Sequence, residues 1–74
     1  LNSMEKTNKI SIEVLKIVAL RKAAGKTQLQ IANSIGMSRT NYNNLEKGII
    51  PLKLDVLQKL CTFFNVHSSK ILTF

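Results

Sequence analysis

The chain has 74 residues, of which 45% are apolar, and its eleven basic and four acidic residues give a net charge of +7. This length holds one domain with one small core, and no apolar run comes near the roughly 18 residues that would cross a bilayer. The single cysteine, Cys61, excludes an internal disulfide, and the basic balance favours a partner that carries phosphates, although solubility alone also explains many small basic proteins.

The first ten residues are mostly polar and carry Lys6 and Lys9. We expect them to form a flexible N-terminal arm over residues 1–10, because short polar termini rarely pack. The natural start is expected at Met4, with residues 1–3 left over from cloning. Such an arm would be able to lie on phosphates, but an arm without a role is the preferred interpretation.

The first predicted helix runs from about Ser11 to Ala24. The Ser11 hydroxyl is a suitable N-cap, since it can accept from an otherwise unpaired backbone N–H. An apolar stripe at spacings of three and four residues predicts the buried face; it consists of Val14, Ile17, Leu20 and Ala24. Gly25 ends the helix, and Arg21, which lies beside the stripe, is expected to be partly covered.

Residues 27–36 predict a second helix. Thr27 caps it, and Gln30 can bond back to the Thr27 N–H to complete a capping box. Gly36 follows where a left-handed residue ends a helix at little steric cost. The apolar residues of this helix are expected on one buried side; they are Leu29, Ile31, Ala32 and Ile35.

A third helix is predicted over about residues 38–47, with Ser38 as its N-cap. Tyr42 and Leu45 lie three residues apart and should point inward. The outward face then consists of Arg39, Thr40, Asn43, Asn44 and Lys47. It has no carboxylate and offers amides, a hydroxyl and two cations, the groups that pair with base edges and phosphates in a DNA major groove. Taken alone, an amide-rich outer helix face is more often only in contact with solvent. The turn before this helix, the preceding helix and the positive net charge together favour DNA as its partner.

Pro51 places a loop between the third helix and a fourth. The fourth helix has apolar residues at helical spacing, namely Leu54, Leu57, Leu60, Cys61 and Phe64. We therefore expect Cys61 to be a buried, inert thiol in a reducing cytoplasm. A fifth short helix is predicted from Ser68 to about Leu72. Together these elements predict an all-α, compact five-helix domain over residues 11–74.

The C-terminal part of the chain is unusually apolar for a domain of this size. Its large apolar side chains include Phe63, Ile71, Leu72 and Phe74. They either close the core or form a patch that a second copy of the chain covers, and the preferred interpretation is a dimer surface.

Over residues 14–72 the chain resembles the Cro and repressor type of helix-turn-helix protein, often called the XRE family. The resemblance rests on the order and spacing of its matching residues, which are Leu20, Arg21, Gly25, Thr27, Gln28, Ile31, Ala32, Gly36, Ser38, Leu45, Glu46, Gly48, Leu57, Leu60 and Val66. It implies a lambda-repressor-like fold of five helices that binds double-stranded operator DNA in bacteria and their phages, usually as a homodimer.

The resemblance implies roles for the third helix. The family positions that read bases correspond to Arg39, Thr40 and Asn44. Asn43 is a flanking position that reads a base or touches phosphate. Ser38 and Lys47 match positions that contact phosphate.

The resemblance also implies roles outside the third helix. Gln28, the first residue of the second helix, would hold a phosphate and help the neighbouring helix read an edge base. Arg21 and Glu46 match a partly buried ion pair that ties the first helix to the end of the third. Lys26 stands where the family usually has an apolar residue and is assigned to phosphate. Lys53, in the loop between the third and fourth helices, is assigned to phosphate as well.

These assignments predict a small transcriptional regulator, most simply a homodimeric repressor of a near-palindromic operator. A helix-turn-helix protein-interaction module, an antitoxin and a restriction-modification controller remain as alternatives. The sequence has one histidine and scattered carboxylates, so an enzyme, a metal site, a cofactor and a small-molecule ligand are all unexpected. No membrane partner is expected either, and the protein should be cytoplasmic.

Overall fold

The computed structural model describes residues 10–72 of the chain. Within that range it contains four α-helices, one turn of 3-10 helix and no β-strand. The helices are α1 over Ile12–Ala23, α2 over Gln28–Ile35, α3 over Arg39–Glu46 and α4 over Leu54–Phe64, and the 3-10 turn covers Ser68–Lys70. The predicted N-terminal arm lies outside the described residues except for Ile10, and Phe74 also lies outside them. None of the described helices is long and apolar enough to cross a membrane.

Side-chain caps fix where the first three helices begin. Ser11 Oγ accepts a backbone N–H from the first turn of α1 at 3.2 Å. At α2 the capping box is complete, since the Gln30 N–H donates to Thr27 Oγ1 at 3.1 Å and the Thr27 N–H donates to Gln30 Oε1 at 2.8 Å. Ser38 Oγ accepts from the first turn of α3 at 3.0 Å. All three predicted caps are confirmed, and each satisfies a donor that the helix itself leaves unpaired.

Left-handed residues end α2 and α4. Gly36 has φ of +74°, a conformation that glycine adopts without the clash a Cβ would cause, and this lets the Met37 N–H donate to the Ala32 carbonyl at 2.9 Å. Asn65 has φ of +56° and closes α4 in the same way. The predicted helix end at Gly36 is confirmed, and the turn there redirects the chain from α2 into α3.

The core lies where α2 packs against α3 and α4 and where α1 packs against α3, and the 3-10 turn packs against α4. Its buried residues are Val14, Ile17, Ile31, Ala32, Ile35, Tyr42, Leu45, Leu57, Leu60, Cys61 and Ile71. Burial of each large aliphatic side chain stabilises the fold by about 1.5–3 kcal/mol, which is what holds such short helices in place. Cys61 is a buried free thiol, as its spacing predicted.

Three of the apolar residues predicted to face the core are exposed instead. Leu29 is 49% exposed, because at the helical repeat it lies about 200° around α2 from Ile31 and so points away from the buried side. Leu54, the first residue of α4, is 66% exposed. Ala24 is exposed as the C-cap of α1, where the helix has already ended, and Leu20 is half-buried.

The fifth predicted helix, from Ser68 to about Leu72, is a single 3-10 turn over Ser68–Lys70. The five-helix prediction is therefore corrected, within the described residues, to four α-helices followed by this turn. The His67 imidazole caps the turn by accepting the Ser69 N–H at 3.1 Å. Ile71 comes directly after it with 0% exposure, so this side chain closes the core of its own chain.

Candidate nucleic-acid interface

A three-residue turn, residues 36–38, joins α2 to α3, and the two helices pack against each other. Tyr42 is 0% exposed and Leu45 is 1% exposed. These two side chains hold one side of α3 in the core, as their spacing predicted. The side chains on the opposite side of α3 are exposed or half-buried.

Five polar side chains without a carboxylate occupy that outward side. Arg39, Thr40 and Lys47 are exposed, whereas Asn43 and Asn44 are half-buried. Arg39, Asn43 and Lys47 follow each other at four-residue spacing and so form one row along the helix. Apart from Asn43, none of the five makes a side-chain hydrogen bond within residues 10–72. The face therefore keeps nearly all of its donors for a partner.

A carboxylate at the last residue of α3 ties this helix to α1. Arg21 Nε donates to Glu46 Oε2 at 2.7 Å, and Arg21 Nη2 donates to Glu46 Oε1 at 3.1 Å. The Arg21 and Glu46 side chains are only 13% and 8% exposed. Arg21 Nη1 also donates to the Lys26 carbonyl at 2.9 Å. Two-point pairing of a guanidinium with a carboxylate fixes direction as well as distance, so it sets how α3 lies on α1.

The ionisation of this cluster is set by its burial and its hydrogen bonds. Burial by itself raises the pKa of Glu46, but the hydrogen bonds from Arg21 and Gln28 outweigh it and hold the pKa below the ordinary glutamate value. The hydrogen bond to Glu46 raises the pKa of Arg21. Glu46 is thus an anion and an acceptor at both oxygens at neutral pH.

Tyr42 lies beside this pair. Its hydroxyl is buried and makes no hydrogen bond within the described residues. Burial raises the pKa of Tyr42 above the ordinary phenol value, and the neighbouring Glu46 carboxylate raises it further. The phenol is therefore neutral well above physiological pH.

Gln28, at the start of α2, adds a third helix to this cluster. Gln28 Nε2 donates to Glu46 Oε1 at 2.9 Å and to Asn43 Oδ1 at 3.2 Å. Both hydrogens of the Gln28 amide thus donate inside the protein. A contact from this amide nitrogen to a phosphate, the role that the resemblance implied, requires one of the two bonds to open.

The other residues assigned to phosphate lie at different places around α3. Ser38 is exposed at the start of α3, and because its Oγ accepts a backbone N–H its own hydrogen can donate outward. Lys26 is exposed just before α2. Lys53 lines a cleft with Asn41, on the side of α3 away from Gln28. Among the residues assigned to phosphate, Lys53 is therefore not close to the side of α3 that carries Asn43 and contacts Gln28.

The residues predicted to form a dimer surface differ in how far their own chain buries them. Phe63 is half-buried and packs edge-to-face on Phe64, with ring centroids 5.1 Å apart. Leu72 is half-buried, whereas Ile71 is fully buried by its own chain. For Ile71 the other predicted alternative, closure of the core, therefore holds in this conformation.

The resemblance implied that Gln28 helps the neighbouring helix read an edge base, but the sequence did not identify Asn43 as its hydrogen-bond partner. A glutamine at the first position of one helix is not by itself a signal, because its partner is on another helix. The only hint is that Asn43 and Glu46 lie three residues apart, which places both on the same side of α3.

A family model described as helix-turn-helix matches residues 17–71, a range that includes most of α1, all of α2, α3 and α4, and the 3-10 turn. Searches of curated proteins and of solved structures gave no significant match.

Proposed function

The chain belongs to the helix-turn-helix family, as a DNA-binding protein of the XRE type, and from this premise we propose that it is a homodimeric repressor that reads a near-palindromic operator. In this proposal α3 enters the major groove, and α2 lies across the sugar-phosphate backbone. Repression follows because a protein that occupies the operator blocks access of RNA polymerase to the same DNA.

One observation carries the proposal, namely the outward face of α3. Its five polar side chains are exposed or half-buried, and two buried anchors on the opposite side of the helix, Tyr42 and Leu45, hold α3 against the core. The nearest carboxylate, that of Glu46, is turned away from this face into the bonds with Arg21 and Gln28. A phosphate backbone thus meets donors and cations here and no anion.

Arg39 and Asn44 are proposed as the main base readers. The exposed Arg39 guanidinium matches guanine, whose O6 and N7 accept two parallel hydrogen bonds. Asn44 makes no side-chain hydrogen bond within the described residues, so both ends of its amide are available for the donor and acceptor of adenine. Each two-point contact would contribute about 1–3 kcal/mol of discrimination between bases. Thr40 lies on the same face and is proposed to contact a base edge as well.

Phosphate contacts are proposed at both ends of the motif. Ser38 and Lys47 flank the base-reading residues at the two ends of α3, and Lys26 precedes the N-terminus of α2, whose backbone amides also favour an anion. Lys53 would contribute only if the backbone follows the loop after α3. These contacts position the protein and make its affinity fall as salt rises.

The dimer is proposed to form through the apolar C-terminal region, with Phe63 and Leu72 as the described contributors. Two copies related by a two-fold axis would place their α3 helices in successive major grooves, about 34 Å apart. An operator with two inverted half-sites follows from that symmetry.

Selection of bound duplexes from a random pool tests this proposal. The expected result is an enriched, near-palindromic site with a guanine that Arg39→Ala no longer prefers. Lys59→Ala serves as the control, because Lys59 is an exposed cation on α4 that lines a groove with Ser34 rather than with α3 residues. Unchanged guanine preference in Arg39→Ala would remove its assigned role. Nucleic-acid binding that hardly depends on salt would instead favour the protein-interaction module.

A further inference from the structure

We propose that Gln28 sets the base preference of Asn43 by holding its amide in one orientation, with the NH₂ group outward. Asn43 then reads bases that present an acceptor in the major groove, guanine first and thymine second, and it does not make the two-point contact with adenine. The proposal rests on the proposed DNA-binding function and names a specificity-determining residue, Gln28, that itself does not touch the base.

The first step fixes the orientation of the Gln28 amide. Its terminal atom lies 2.9 Å from Glu46 Oε1. Glu46 is ionised in its pair with Arg21, and an ionised carboxylate only accepts hydrogen bonds. The atom of Gln28 that faces Glu46 must therefore be the nitrogen, and the opposite orientation would set a carbonyl oxygen against a carboxylate oxygen.

The second step passes this orientation to Asn43. The same Gln28 nitrogen lies 3.2 Å from the Asn43 side chain, and its second hydrogen is directed there. The Asn43 atom that receives it must be an acceptor, which is Oδ1. An exchanged Asn43 amide would put two NH₂ groups against each other. Asn43 Nδ2, which has no hydrogen-bond partner within the described residues, is thereby left for the outward side.

The third step is the chemistry of the groove. Guanine presents two acceptors, O6 and N7, and thymine presents O4, whereas cytosine presents an N4 donor. Adenine presents an N7 acceptor beside an N6 donor, so it matches an asparagine only when Oδ1 and Nδ2 are both available. With Oδ1 already bonded to Gln28, Asn43 has donors alone, and the adenine contact is left to Asn44.

The free protein offers a readout that does not depend on DNA. Nuclear magnetic resonance of the side-chain amides is expected to show the Gln28 NH₂ protected from exchange with water and the Asn43 NH₂ unprotected. The Asn44 NH₂ serves as the control for an unbonded asparagine on the same helix. Equal, rapid exchange of the Gln28 and Asn44 amides would overturn the proposed orientation even if the protein binds DNA as expected.

Selection of duplexes from a random pool then tests the consequence in three proteins. The unaltered chain should prefer guanine, then thymine, at the position that Asn43 faces. Gln28→Met keeps the length of the side chain but frees Asn43 Oδ1, and the ratio of adenine to guanine affinity there should rise about tenfold. Asn43→Asp keeps an acceptor toward Gln28 and turns an oxygen outward, so the preferred base should become cytosine, the base with an N4 donor.

The outcomes separate this proposal from the one it rests on. No enriched site for the unaltered chain would overturn the proposed function, and this inference with it. An enriched site whose preference is the same in Gln28→Met would overturn the inference alone. If Gln28→Met does not fold, Asn43→Asp decides, because a preference that does not move toward cytosine contradicts an outward NH₂ in the unaltered chain.

Discussion

Arg21 in the last turn of α1 and Glu46 at the end of α3 form a two-point ion pair, with 2.7 Å between Arg21 Nε and Glu46 Oε2. Gln28 at the start of α2 donates to the same carboxylate. One carboxylate thus connects the three helices that set the position of the proposed base-reading face. Because the pair is largely buried, its loss affects stability and the placement of α3 together.

Removal of the cation from this pair should be strongly destabilising. In Arg21→Met the Glu46 carboxylate stays buried without its counter-ion, and the free energy of unfolding should fall by about 3 kcal/mol. Urea unfolding followed by circular dichroism measures the change. Lys22→Met, which removes an exposed cation from the same turn of α1, should change stability by less than about 0.5 kcal/mol.

The double variant Arg21→Met/Glu46→Leu should recover most of the stability that Arg21→Met loses, since an apolar pair leaves no buried charge. A double variant as unstable as the sum of the two single changes would contradict this. It would mean that the two side chains contribute independently, with no coupling energy between them.

The stability of the fold should depend on the ionisation of Glu46. The pKa of Glu46 in the folded protein is below its ordinary value of 4.5, with the hydrogen bonds from Arg21 and Gln28 outweighing burial. The contribution of a carboxylate with a lowered pKa is full above its unfolded pKa and is lost as the pH falls through the folded pKa. The difference in unfolding free energy between the unaltered chain and Glu46→Gln should therefore be large at neutral pH and shrink below about pH 4.5. A difference that stays constant with pH would show that Glu46 is not held as an anion.

Tyr42 allows a direct spectroscopic test, because the chain has one tyrosine and no tryptophan. Its pKa is raised by burial and by the adjacent Glu46, so the phenol should stay protonated near pH 11, where a free tyrosine is mostly ionised. The ultraviolet tyrosinate band measures this without interference, and urea should restore titration near pH 10.

For a raised pKa the stabilising contribution is full below the ordinary value and is lost as pH rises above it, so alkali should unfold the chain before Tyr42 ionises in place. Ordinary titration of the folded chain would contradict the burial of the hydroxyl.

The local features of the fold were predictable because they depend on neighbours in sequence. The capping box follows from Thr27 and Gln30, three residues apart, and the left-handed turn follows from the glycine at position 36, which has no Cβ. The structure confirms both. Leu29 was misplaced because an apolar residue near helical spacing was assigned inward without its angle around the helix. The 3-10 turn was misread as a helix because three residues are too few to distinguish the two repeats.

The candidate site was predictable only in part for a different reason. The outward face of α3 depends on one helix and its own period, so its members could be named from the sequence. The bonds of Gln28 to Asn43 and Glu46 depend on how α2 and α3 pack, and no pattern within either helix determines that angle. The Arg21–Glu46 pair came from the family resemblance rather than from spacing.

Binding to the operator should depend on salt through identifiable cations. Lys47→Ala removes a proposed phosphate contact and leaves the proposed base readers intact. Affinity should therefore fall about equally for all sequences, and the slope of affinity against salt should fall by about one ion. Lys59→Ala on α4 provides the matched loss of one positive charge and should leave the slope nearly unchanged. Fluorescence anisotropy of a labelled duplex across a salt series measures both. Equal slopes for Lys47→Ala and the unaltered chain would remove Lys47 from the phosphate contacts.

Ile71 should act in the core of the single chain rather than in association of two chains. Its side chain is 0% exposed, so Ile71→Ala leaves a cavity and should lower the free energy of unfolding by about 2–5 kcal/mol. Leu29→Ala is the control, because the Leu29 side chain is 49% exposed and should matter little. Urea unfolding at two protein concentrations separates the two roles, since a loss in the core does not depend on concentration and a loss at an interface does. If Ile71→Ala leaves monomer stability unchanged and weakens self-association, Ile71 contacts the second copy instead. The 3-10 turn would then have to rearrange when the dimer forms.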